Sequence, residues 1–157
     1  MNYADLIEHP EGGRFLEVYR SANQVDIQGS ARTALTHIYF SLNPDEVSRW
    51  HRVSSDEVWN LYQGSGLYLY QWDGTSNRIE KVSLSAQTMN FCHIVPAGYW
   101  QAAAPIEEKV LVGCSVAPGF EFSDFELIDP QTETARTLQN IDDRLSRFIY
   151  PSSDATH

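Results

Sequence analysis

Two short stretches of this chain carry the residue types that proton transfer or metal chemistry requires. The first, Trp50-His51-Arg52-Val53-Ser54-Ser55-Asp56-Glu57-Val58-Trp59-Asn60-Leu61-Tyr62-Gln63-Gly64, sets an imidazole and a carboxylate ahead of a strand-like run that ends in glycine. The second, His93-Ile94-Val95-Pro96-Ala97-Gly98-Tyr99-Trp100-Gln101, is another strand-like run, a Pro-x-Gly turn and then an amide side chain. An imidazole titrates near neutral pH, so His51 suits a general base. Glu57 suits its partner or a ligand to a cation, and burial against aromatic rings would raise its pKa and make it an acid. Tyr62, Tyr68 and Tyr99 are further groups able to give or take the second proton. Arg49, Arg52, Asn60 and Gln101 offer polar recognition of a ligand, and Trp50, Trp59 and Trp100 offer flat apolar surfaces. His51, Glu57 and Gln101 also make a weak ligand set for a divalent ion, because a neutral amide oxygen is a poorer donor than imidazole.

Plainer readings stand beside these. Glu57 could be ion-paired with Arg49 or Arg52, and His37 and His93 read as structural imidazoles. His9 reads as part of a turn before Gly12-Gly13, and the stretch His9-Pro10-Glu11-Gly12-Gly13-Arg14 could bend closely around another group as a lid or pocket edge. A glycine pair without a following helix is no phosphate loop. Arg20 could meet an anionic ligand or pair with Glu17.

The elements that must position these groups read as short strands: 34–42, 57–63, 67–72, 80–84, 90–95 and 109–116. Turn residues break them at Asn43-Pro44-Asp45, Gly64-Ser65-Gly66, Asp73-Gly74-Thr75, Pro96-Ala97-Gly98 and Pro118-Gly119. Regular short strands with such breaks indicate a sandwich or barrel. Leu67-Tyr68-Leu69-Tyr70-Gln71-Trp72 is large and apolar at all but one position, as expected of a strand covered on both faces. One or two helical turns are expected within 2–8. A helix is expected over 140–150, where Ile141, Leu145, Phe148 and Ile149 have helical spacing and Pro151 ends the pattern. The reading is one domain over 1–151 with a frayed tail at 152–157.

The two site-bearing stretches resemble the two cupin motifs. His51, Val53, Glu57 and Gly64 fall at the spacing of the first motif, in which a His-x-His pair precedes a Glu and a Gly, and Pro96-Ala97-Gly98 to Gln101 is similar to the Pro-x-Gly-x-x-His of the second. Val53 and Gln101 stand where that pattern has histidines. The likeness is closest to the small single-domain Cupin-5 branch, a former domain of unknown function. It is carried by His9-Pro10-Glu11-Gly12-Gly13, Tyr19-Arg20-Ser21, Ser48-Arg49-Trp50-His51-Arg52, Ser55-Asp56-Glu57, Trp100-Gln101-Ala102-Ala103 and Val116-Ala117-Pro118-Gly119-Phe120. Asn60 stands where this branch commonly has a histidine. The resemblance implies an all-β double-stranded β-helix, the cupin jelly-roll barrel, with short terminal helices. It leaves three functions open. The leading one is a metal-independent acid/base isomerase, epimerase, dehydratase or cyclase acting on a small polar metabolite or sugar derivative. The others are a divalent-metal-dependent oxygenase or lyase, and a barrel that binds a small molecule or sugar without changing it.

Composition narrows the partners. The 157 residues carry 11 basic and 21 acidic side chains, a formal net charge of -10, and the basic residues are scattered, so no nucleic-acid partner is expected. The first ten residues lack a basic start and an apolar run, and no stretch is long and apolar enough to cross a bilayer; no membrane partner and a cytoplasmic location are expected. Cys92 and Cys114 have neither CxxC nor zinc-type spacing and read as small buried apolar residues. Exposed sheet edges are expected to be covered in a homodimer.

Overall fold

The structure is a computed structural model and describes residues 2–151; the 152–157 tail expected to fray lies outside them. Its strands, in chain order, are β1 (Ile7–Glu8), β2 (Arg14–Arg20), β3 (Gln24–Ile27), β4 (Ser30–Thr33), β5 (Thr36–Leu42), β6 (Ser48–Arg52), β7 (Asp56–Gln63), β8 (Leu67–Trp72), β9 (Glu80–Leu84), β10 (Cys92–Val95), β11 (Trp100–Pro105), β12 (Val110–Ala117) and β13 (Glu126–Leu127). Two antiparallel sheets face each other as a jelly-roll barrel. The larger has the order β1-β2-β5-β12-β7-β10, the smaller β13-β6-β11-β8-β9, and β3 and β4 form a separate hairpin.

Alternation along each strand sends neighbouring side chains to opposite faces. The inward set of both sheets, including Phe40, Leu42, Trp59, Leu67, Leu69, Val112 and Cys114, makes the barrel core. The outward set of the smaller sheet, Trp50, Tyr70, Trp72, Trp100, Ala102 and Ala104, makes a second core with the C-terminal segment. The expected double coverage of β8 has this origin: Leu67 and Leu69 face the barrel, while Tyr70 and Trp72 face the segment outside it.

The covering segment is not the helix expected over 140–150. An α-helix, α1 (Glu133–Ile141), starts earlier, where Thr132 Oγ1 accepts from the Ala135 N–H. Asp142 leaves helical geometry and caps a following 3-10 stretch, Asp143–Phe148, so the spacing of Ile141, Leu145 and Phe148 belongs to two elements. Near the N-terminus the expected turns reduce to a 3-10 turn at Tyr3–Asp5 before β1. No helix among the described residues is long and apolar enough to cross a membrane.

Candidate functional site

The site lies within the barrel near one end, where β6, β7 and β11 each turn one polar side chain inward. His51, Glu57 and Gln101 are all buried, and His51 is the direct strand partner of Gln101. A fourth group comes from outside these strands. The turn His9–Gly13 closes through the Gly12 N–H to the His9 carbonyl and lies against β6, where the Arg49 N–H donates to the Glu11 carbonyl. Gly12 has φ +112°, and a Cβ there would meet the Val47 carbonyl oxygen at 2.1 Å; glycine is what allows the approach. The result is a buried carboxylate. Glu11 Oε2 lies 2.7 Å from His51 Nδ1 and accepts from Ser48 Oγ at 2.5 Å.

His51 Nδ1 is also 2.7 Å from the Arg49 carbonyl. Both neighbours are acceptors, so Nδ1 carries the proton, and Nε2 is the atom left to act on a ligand in the cavity that His51 lines. Burial alone would lower the His51 pKa. The charge and hydrogen bond of Glu11, helped by the charge of Glu57 and the Arg49 carbonyl, outweigh it and raise the value above 6.5. Burial likewise opposes ionisation of Glu11, but the charges of His51 and His9 and the bonds from His51 and Ser48 hold it down to about 2. Burial lowers the His9 pKa against the pull of Glu11, and its Nδ1, accepting from the Glu11 N–H at 3.2 Å, has no proton to offer a carboxylate there. Its 3.3 Å approach to Glu11 Oε1 is therefore no ion pair.

Glu57 has the opposite character. Burial pushes it up to about 7, with the charge of Glu11 adding to the rise and the His51 charge and hydrogen bonds from Gln101 and Cys114 limiting it. The orientation of Gln101 follows from a donor that cannot accept. Trp59 Nε1–H donates to Gln101 Oε1 at 2.7 Å, so the amide nitrogen faces Glu57 Oε1 at 2.8 Å. The ion pairs considered for Glu57 are not formed: Arg52 pairs with Glu126 at 2.7 Å, and the Arg49 guanidinium reaches the Pro10 carbonyl at 3.4 Å. Cys114 is buried against Glu57, whereas Cys92 is exposed, contrary to the expectation that both are buried.

These residues do not fit a resident divalent ion. The Gln101 oxygen is held by Trp59, which leaves His51 Nε2 and Glu57 as the donors of the expected set, and among the described residues no three His, Cys, Asp or Glu side chains converge as ligands.

Several expected site residues lie elsewhere because of strand parity. Trp50 and Trp100 precede His51 and Gln101, so they point outward into the second core, Trp100 under the Arg52 guanidinium. Asn60 and Tyr62 alternate with Trp59 and Leu61 and also point outward. Asn60 Nδ2 donates to the Gly113 carbonyl, and Tyr62 lies beside His37 Nε2 at 2.9 Å. Tyr68 faces outward beneath the Lys81 ammonium. Trp59 is inside, but as the partner of Gln101 rather than a wall of the cavity. His37 and His93 do not line the cavity; their ring nitrogens lie 2.8 Å from Ser115 Oγ and 2.7 Å from Gln71 Oε1. The stretch expected as a lid or pocket edge does supply His9 and Glu11 to the cavity wall; what the sequence reading missed is Glu11 as the partner of His51. The signal was the glycine pair beside Glu11.

Apart from Thr36, the remaining wall is apolar: Phe15, Ile38, Val53, Val116, Phe120 and Phe125. The cavity they leave is about 30 Å³.

A family model described as the cupin superfamily (DUF985) matches residues 1–128. This chain belongs to that superfamily. The cupin is 28% identical over 151 residues to the uncharacterized protein YML079W of Saccharomyces cerevisiae, covering 85% of this chain and 75% of the yeast protein. It is 30% identical to protein SO0799 of Shewanella oneidensis, whose crystal structure superposes with a TM-score of 0.82 over 96% of this chain and 94% of that one. A dTDP sugar isomerase from Desulfovibrio desulfuricans shares the fold at 14% identity, with a TM-score of 0.54 over 76% of the cupin and 87% of the isomerase.

Proposed function

We propose that this cupin is a metal-independent proton-transfer enzyme, an isomerase, epimerase, dehydratase or cyclase acting on a small polar metabolite or sugar derivative. The observation that carries the reading is the pairing of His51 with an ionised buried carboxylate while a second carboxyl, Glu57, is held near neutrality in the same cavity. Two titratable groups with environments that drive their proton affinities apart are what acid/base catalysis at one pH needs.

In the reacting form His51 is neutral and Glu57 carries a proton. Nε2 takes a proton from a carbon next to a substrate carbonyl; the C–H electron pair becomes a C=C bond and the carbonyl π pair moves to oxygen, giving an enolate. Glu57 donates its proton to that oxygen, giving an enol, and Glu11 stabilises the imidazolium through Nδ1–H. Return of a proton to carbon then completes an isomerisation or epimerisation, while loss of a leaving group completes an elimination. Each proton removed is matched by one supplied, so the pair can run either direction. The dTDP sugar isomerase supports a sugar derivative as substrate by analogy of fold.

The test is incubation of the protein in D₂O with a panel of sugar nucleotides, uronates and keto sugars, followed by proton NMR. Deuterium should enter at a carbon beside a carbonyl, and His51→Gln should slow entry by about 10²–10⁴-fold. An unchanged rate in that variant overturns the assignment, and ligand recovered without deuterium after stoichiometric binding favours a binding barrel.

A further inference from the structure

A cavity of about 30 Å³ holds one or two water molecules and no carbon skeleton. If the proton-transfer reading holds, part of the wall must move to admit substrate. The strands that flank the site, β5, β6, β7, β11 and β12, each pair with neighbours on both sides and cannot give way singly. The strap from Pro118 to Phe125 is different. It leaves the end of β12, forms a 3-10 turn at Phe122–Asp124 and makes no strand pairing before β13. Its Phe120 and Phe125 form part of the cavity wall, and Phe122 packs beside His9 and Phe15 while remaining half exposed.

Besides the Gly119 N–H bond to the Thr33 carbonyl and the Phe120 N–H bond to Thr36 Oγ1, two guanidiniums hold the strap down. Arg20 donates to the Phe120 carbonyl at 2.9 Å and to Glu121 Oε1 at 3.2 Å, and Arg32 donates to the Gly119 carbonyl at 2.8 Å and lies against Asp124 Oδ2 at 2.5 Å. The second latch is poorly made: Arg32 Nε and Asp124 Oδ2 are both buried without an aligned hydrogen bond. A planar or tetrahedral oxyanion facing the edge of this guanidinium could take Nε–H and an Nη–H together. Lifting the strap leaves Arg20 with Glu17, at 2.7 Å, but strips Arg32 of the one carboxylate within 4 Å of it among the described residues. Opening exposes that guanidinium to water with its hydrogen-bond donors free, and an arriving oxyanion can take them. A cleft of about 90 Å³ beside the strap already contains Arg20 and Glu121 and shares Phe15, Thr36, Ile38 and Phe120 with the inner cavity. Moving Phe120 would join the two.

We propose that the Pro118–Phe125 strap is a lid, and that the substrate bears a carboxylate or phosphate that takes the places of Glu121 and Asp124 on Arg20 and Arg32 while its reacting carbon reaches His51 and Glu57. An oxyanion in these places keeps both guanidiniums opposite negative charge after the two carboxylates have left them.

The experiment is amide hydrogen exchange of the full chain with malonate or pyrophosphate as probe, against sodium chloride at matched ionic strength. Either probe should speed exchange across 119–125 by about tenfold, the scale of an ordinary coupling between two sites, and leave β5, β7 and β12 unchanged. Response to malonate alone assigns a carboxylate, response to pyrophosphate alone a phosphate. Glu121→Gln removes an internal competitor and should tighten probe binding by about fivefold, at the lower end of that scale, while Arg20→Gln and Arg32→Gln should abolish the response. Arg20 is well exposed, so its variant stays informative if the Arg32 variant fails to fold. An unresponsive strap in both wild type and Glu121→Gln, or a response that survives Arg20→Gln, overturns the lid. A responsive strap in a protein that exchanges no substrate proton upholds the lid and rejects the proton-transfer reading; proton exchange with an unresponsive strap does the reverse.

Discussion

The two faces of the smaller sheet are built from the same strands and have opposite chemistry. On β6, Trp50 faces out and His51 in; on β11, Trp100 faces out and Gln101 in. The outer face is an apolar seat for α1 and the 3-10 segment: Leu138, Phe148 and Ile149 share one buried cluster with Trp50 and Trp100, and the Phe148 ring meets Trp50 edge-on. The inner face, together with β7, holds a chain of hydrogen bonds from Trp59 through Gln101 to Glu57. One residue of offset separates scaffold from site. Aromatic residues beside a motif histidine are therefore not evidence of a stacking platform until their parity is known.

The largest effect that would break this contrast is on stability. Trp50→Ala should cost about 3–5 kcal/mol in denaturant unfolding, the range for truncating a fully buried aromatic, and leave the His51 titration in place where the variant folds. A loss below about 1 kcal/mol, within the range of ordinary surface substitutions, would show that the outer face is not a packed core.

The next effect belongs to the inner face and depends on pH. Glu57 has a higher pKa folded than unfolded, so the folded state binds the extra proton and stability falls as pH rises from about 4.5 through about 7. The shift corresponds to about 3 kcal/mol. Glu57→Gln should remove this falling limb, so that the variant gains on wild type as pH rises. Glu11 has the reverse sign: it contributes stability above the unfolded carboxylate pKa that is lost as pH falls toward about 2, and Glu11→Gln should flatten that acid limb. The same variant should lower the His51 pKa relative to wild type by NMR, because the charge and hydrogen bond of Glu11 are the largest influences opposing burial.

The smallest effect sharpens the contrast. Tyr62 lies on the outer face of the larger sheet, 47% exposed, so Tyr62→Phe should change stability by no more than about 1.5 kcal/mol, the net worth of one hydrogen bond. The His51 titration should not move. A displaced titration would return Tyr62 to the site.

Much of the fold was legible because strand signals are local. Leu67–Trp72 and Glu80–Leu84 have the expected bounds, since apolar residues and flanking turn residues mark both ends. β6 and β11 were not marked as strands. Ser48-Arg49-Trp50-His51-Arg52 is mostly polar and Trp100-Gln101-Ala102-Ala103-Ala104-Pro105 is alanine-rich, so both have weak intrinsic strand preference and are held by partners on either side. The two strands that carry His51 and Gln101 were thus among those hardest to see.

The sequence by itself determined the superfamily, the all-β class and the convergence of His51, Glu57 and Gln101, because these are set by residue type, spacing and turn chemistry along short segments. Only the tertiary structure decided which side chains share a cavity, which partner each titratable group has and in which direction its pKa moves. Those depend on strand parity, on the Gly12-Gly13 turn that brings Glu11 to His51, and on burial. All three bring together residues far apart in the chain, which no local pattern records.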